Sequence, residues 1–116
     1  MTGQTNLQQI QQANELASEG KLIEAEALYH QVLASEPNHP FALYGLAQLA
    51  GFIHEIDVKE VLLSQAIAQL IDAGESEHKI TAAVWLTELA KVFYQLNRQE
   101  DAQLCLAEYE KIMAEI

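Results

Sequence analysis

The stretch 16-LASEGKLIEAEALYHQVLASEPNHPFALYGL-46 decides the fold. Ala25, Leu28, Tyr29, Val32 and Leu33 recur at three- and four-residue steps, the period of a helix with one apolar face. Gly20 ahead of them suits the left-handed residue that closes a preceding helix. Behind them Glu36-Pro37-Asn38-His39-Pro40 breaks the chain, and Pro40 fits the first position of a new helix, where its missing N–H costs nothing. The stretch therefore predicts the end of one helix, a full second helix from Leu22 to Ser35, and the start of a third.

Outward from this core the same reading gives six helices. The first runs from Leu7 to Ser18, capped by Asn6 or Thr5, with Leu7, Ile10, Ala13 and Ala17 on one stripe. The third, Pro40 to Phe52, is apolar almost all round, so it must be sandwiched between others. Asp57 with Glu60 three residues on reads as the cap of a fourth, whose buried face is expected to hold Val58, Val61, Leu62, Ala66, Leu70 and Ile71. A fifth spans Glu77 to Leu96 and stops at Asn97. The sixth starts at Gln99, with Ala102, Cys105, Leu106, Tyr109, Ile112, Met113 and Ile116 expected on its inner stripe. Leu104 falls off that stripe and is expected to be exposed. No segment alternates with period two for long enough to make a strand, so the fold class is all-α.

The chain has 116 residues, one domain by size, and half of them are hydrophobic, which argues against disorder. Six basic and seventeen acidic residues leave a formal charge of −11. That field repels polyanions, so nucleic acid and anionic membrane surfaces are not expected partners, whereas a basic or amphipathic protein segment is. Cys105 is the lone cysteine, which rules out an internal disulfide and a thiolate metal site. Met1 to Gln12 lacks the basic start and apolar run of a leader, and no apolar run is long enough to span a bilayer. A cytoplasmic protein is the expectation.

A repeat underlies the six helices. Shifting the frame by 34 residues carries Ala13 to Ala47, Leu28 to Leu62, Tyr29 to Leu63, Val32 to Ala66 and Leu33 to Ile67. It also carries Gly20 to His54 and Ala25 to Lys59, two departures that predict an altered second turn. A further shift of 43 carries Ala47 to Ala90, His54 to Asn97, Lys59 to Ala102 and Leu63 to Leu106. The extra nine residues are expected in 74–82, as a longer connection or as added length on the fifth helix.

Gly20, Ala25, Tyr29, Val32, Leu33 and Pro37 at these offsets resemble the tetratricopeptide repeat, a helix–turn–helix unit of about 34 residues. The resemblance covers nearly the whole chain as three repeats, about 6–39, 40–73 and 83–116. It implies an α-solenoid of three antiparallel helix pairs in a right-handed superhelical stack. It also implies a protein–protein interaction module, an adaptor, scaffold or chaperone, rather than an enzyme. In the family the first helix of each pair lines a concave partner-binding face. By offset that face would hold Ile10 and Asn14, then Phe41, Tyr44, Gln48 and Phe52, then Val84, Thr87, Lys91 and Tyr94. Asn14 and Lys91 alone could grip a peptide carboxylate, so the multi-lysine mode common in the family is not expected. Aromatic and amide groups favour an apolar or helical ligand segment instead. Polar residues on the outer faces of the first and last helices fit a stack that ends at both, as a monomer or weak homodimer.

Each of these residues also has a plainer reading: Phe41, Phe52 and Trp85 as core, Lys91 as a solvated lysine. The sequence also admits two other functions, a self-associating structural module using Leu104 and the last helix, and an acidic phosphotransfer domain using His30 or His78. The four histidines, His30, His39, His54 and His78, include no pair at helical metal-binding spacing, so no metal or cofactor is expected. Cys105, on the inner stripe of the last helix, reads as an inert core thiol.

Overall fold

The computed structural model describes Thr5 to Ile116; the reading of Met1 to Gln4 lies outside the described residues. Six helices follow in order, α1 (Asn6–Ser18), α2 (Leu22–Ser35), α3 (Pro40–Phe52), α4 (Ile56–Ala73), α5 (Ser76–Gln95) and α6 (Gln99–Ala114). There is no strand among the described residues. Each helix packs on its neighbours in the chain, with one further contact of α1 against α3. The result is an open stack of three hairpins, 47 × 31 × 21 Å, rather than a bundle about one axis. Among the described residues no helix is long and apolar enough to cross a membrane.

The hairpin turns are the same turn made three times. Gly20, His54 and Asn97 sit at φ +83°, +61° and +61°. The amide that follows each donates to the carbonyl five residues back: Lys21 to Leu16 at 2.9 Å, Glu55 to Ala50 at 2.9 Å and Arg98 to Phe93 at 2.8 Å. This is the six-to-one bond that closes a helix on a left-handed residue. The altered second turn expected from His54 is therefore not found. Histidine is among the non-glycine residues enriched in the left-handed region, so the backbone geometry survives the change of residue. It does so under strain, about 1–2 kcal/mol for an L-residue. His54→Gly is expected to raise stability by about 0.5–1 kcal/mol, since relief of strain slightly exceeds glycine's entropic cost. His54→Val should lower it by more than that. Chemical denaturation of the two variants checks the order, and a stability loss in the glycine variant would show the turn to be unstrained.

α1 begins with a reciprocal cap, Thr5 Oγ1 accepting from the Gln8 amide at 3.1 Å and Gln8 Oε1 from the Thr5 amide at 2.9 Å, so Thr5 and not Asn6 is the capping residue. α4 departs from expectation. Its flanking residue is Glu55, which makes no side-chain cap, and Asp57 lies inside the first turn. The buried face carries Leu63, Ala66, Ile67 and Leu70, while Val58, Val61 and Ile71 are exposed. Spacing alone could not choose between two apolar faces on this helix. The repeat frame chooses correctly, because Leu63, Ala66 and Ile67 stand where Tyr29, Val32 and Leu33 stand in α2. Leu7, Met113 and Ile116 are likewise exposed rather than part of an inner stripe, and Leu104 is exposed as expected.

The extra length between the second and third hairpins lies in helix, not in a longer connection. α4 has 18 residues where α2 has 14, and α5 has 20 where α3 has 13. The α4–α5 connection is only Gly74 and Glu75, with Gly74 left-handed at φ +71°. Two cores result, one of α1, α2 and the inner side of α3, the other of α3 through α6, bridged by Leu33, Phe41 and Leu62.

Candidate functional site

Two reversals of the chain leave α1 and α3 running the same way, with a trough of about 590 Å³ between them. α1 supplies Leu7, Ile10, Gln11, Asn14, Ala17 and Ser18. α3 supplies Phe41, Tyr44, Gly45, Gln48, Leu49 and Phe52, at nearly the same spacing 34 residues on. At 1.5 Å per residue each stripe is about 17 Å long. Thr81 and Trp85 close one side, and Thr81 belongs to the added length of α5.

The floor of the trough is built from α2. Tyr29, 2% exposed, passes between α1 and α3, and its hydroxyl donates to Asn14 Oδ1. Burial raises its pKa above the ordinary tyrosine value. Gly45 makes room for the ring: a Cβ there would overlap the ring edge and stand 2.8 Å from the hydroxyl oxygen. Tyr44 stacks flat on Trp85 with ring centroids 4.2 Å apart, and Phe41 meets Trp85 edge-on at 5.5 Å. Trp85 is thus core, as expected, and also one wall of the trough.

Beside that wall Glu88 of α5 accepts from the Tyr44 hydroxyl at 2.8 Å, from Gln48 Nε2, and from Lys59 Nζ at 3.2 Å. Burial pushes the Glu88 carboxyl up, but the bonds from Gln48, Tyr44 and Lys59 and the lysine's charge outweigh it, and its pKa lies below the usual value. Tyr44 is pushed well above the usual tyrosine range, by burial first and then by the bond to Glu88 and its charge.

Of the residues expected on a concave face, Ile10, Asn14, Phe41, Tyr44, Gln48 and Phe52 come together in the trough. Val84, Thr87, Lys91 and Tyr94 lie outside it. The reason is geometric: no Cα of α3 comes within 8 Å of α5, and the two helices meet through large side chains, the packing of Phe41 and Tyr44 on Trp85 and the Glu88 cluster. Carrying the frame back by 34 from Phe41 finds Leu7, which the sequence reading set on one stripe with Ile10, Ala13 and Ala17 but not among the partner-binding residues. Lys59 had a signal too, as a long side chain where the other hairpins hold alanine. Nothing in the sequence marked Glu88 or Thr81.

Other candidates carry less. Cys105 is buried, and burial, then the charges of Asp101 and Glu60, push its thiol up, away from a reactive thiolate. His39 and His78 flank Phe41 with ring centroids 6.2 and 6.4 Å away, and their Nδ1 atoms have no hydrogen-bond partner. The chain is thereby an all-α stack of three helical hairpins with an apolar trough on one face. No family model matches it, and no curated protein matches it significantly.

Proposed function

We propose that the chain is a tetratricopeptide-like interaction module that holds a segment of a partner protein in the trough between α1 and α3. The single observation that carries this reading is the contrast between the trough and the rest of the molecule. None of the residues lining it is charged, in a chain of net charge −11. Phe52 and Leu7, 61% and 59% exposed, stand at its two ends. An uncharged, mostly apolar concave strip that ends in exposed large side chains presents a binding surface. The triply repeated turn and the recurring buried alanines Ala13, Ala47 and Ala90 support the family resemblance. No catalytic role is assigned.

The test blocks the trough without touching the core. Leu7→Asp with Phe52→Asp changes two exposed side chains, so the melting temperature should stay within a few degrees of the wild type. Partners retained by immobilised wild-type protein, identified by mass spectrometry, should be lost by the blocked variant. A partner set that is unchanged would place the binding surface elsewhere.

A further inference from the structure

Resting on that reading, the geometry points to one class of occupant: a single amphipathic α-helix of about three turns, with its apolar face in the trough and basic residues along its flanks. The first ground is hydrogen bonding. An extended peptide brings unpaired backbone N–H and C=O groups that must find partners in the wall, whereas a helix satisfies its own. Most polar side chains of this trough already hold one internal hydrogen bond. Asn14 Oδ1 accepts from Tyr29, and Tyr44 and Gln48 donate to Glu88. Ser18 Oγ donates to the Glu15 carbonyl and Thr81 Oγ1 to that of Glu77. Among the described residues only Gln11 and the Trp85 indole line it without a hydrogen bond. With chiefly the Gln11 amide, Asn14 Nδ2, Gln48 Oε1 and the Trp85 N–H left to meet it, an extended backbone buried in such a wall would leave several groups unsatisfied.

The second ground is shape. Two helices running the same way leave a straight channel about 17 Å long, which a helix of about 11 to 14 residues matches. The third is charge. Glu88 accepts from Tyr44 and Gln48 of the trough, Glu15 and Glu77 stand one helical turn from Gln11 and Thr81, and His39 and His78 flank Phe41. Lys59 is held by Glu88 at 3.2 Å. Lys59 and Glu88 neutralise each other, so Glu15 and Glu77 leave a net acidic rim about an uncharged floor, which complements a helix that is apolar on one face and basic at its edges.

Two synthetic peptides of about 14 residues and identical composition test this, both end-blocked. One, LKKLLKKLLKKLLK, carries leucine at helical period; the other, LKLKLKLKLKLKLK, carries it at period two. By isothermal titration calorimetry at low salt the helical peptide should bind at least tenfold more tightly, and Leu7→Ala with Phe52→Ala should weaken it at least tenfold. Replacing its lysines by glutamates should abolish binding. If the period-two peptide binds equally well or better, and the double variant weakens it, the occupant is extended and the helix is overturned while the trough remains the site. If the glutamate peptide binds as well as the lysine one, the basic flank is overturned. If neither lysine peptide binds, or the double variant makes no difference, the trough itself fails as the binding surface.

Discussion

Tyr29→Ala is expected to destabilise the protein by about 3–5 kcal/mol, the range for deleting a fully buried large side chain. In a domain of this size that lowers the melting temperature by roughly 15 °C or more. The loss is large because three helices meet on one ring: Tyr29 leaves α2, fills the space between α1 and α3, and ends on Asn14. Tyr29→Phe keeps the ring and isolates the hydroxyl, so it should cost only about 1 kcal/mol. Gly45 reports on the same ring from the other side. Gly45→Ala gains about 1 kcal/mol of helix propensity but overpacks against Tyr29, so a net loss of about 1–2 kcal/mol is expected. In Tyr29→Leu the overlapping ring edge is gone, and there Gly45→Ala should be neutral or stabilising. Urea denaturation of the four proteins closes the cycle. Additive losses would show that Gly45 is not there to admit the tyrosine.

Tyr29 and Gly45 also show what could be read beforehand. The period of α2 and the offset to Leu63 and Leu106 put Tyr29 inside before any coordinates, because translation along a repeat preserves environment. Helix ends were legible for the same local reason: Gly20, Pro40 and Asn97 dictate backbone geometry whatever the packing. The buried face of α4 was not legible from its own spacing, since Val58, Val61 and Ile71 are as apolar as Leu63 and Ile67. A helix with two apolar faces needs a neighbour, or the repeat frame, to choose between them. The site was half legible. Positions on α1 and α3 follow from the frame because those helices touch. Those on α5 do not, because added helical length and bulky side chains hold α5 away from α3, a tertiary effect that no local pattern encodes.

Glu88→Ala is the second large effect expected, about 2–3 kcal/mol of lost stability. Removing one partner of a buried ion pair costs more than this, but Lys59 and Glu88 keep 17% and 26% of their side-chain surface in water, which screens part of it. Three donors lose their acceptor at once: Tyr44, Gln48 and Lys59. Lys59→Ala restores the alanine of the first and third hairpins and leaves Glu88 two donors, so about 1 kcal/mol is expected, part of it from the lysine stem packed over Gly51. The double variant should cost less than the sum of the singles by about 1 kcal/mol or more, because neither charge is then left alone. The pH dependence has a fixed sign. Glu88 is held below its ordinary value of 4.5 in the fold, so the native state favours its ionised form. Its contribution is therefore complete above that value and is lost as pH falls through the lower, folded one. The stability gap between wild type and Glu88→Gln should be constant from pH 8 to about 5 and close below about 4.5. A gap that persists unchanged at pH 3 would mean that the carboxylate charge contributes nothing, and that hydrogen bonding alone accounts for what Glu88 adds.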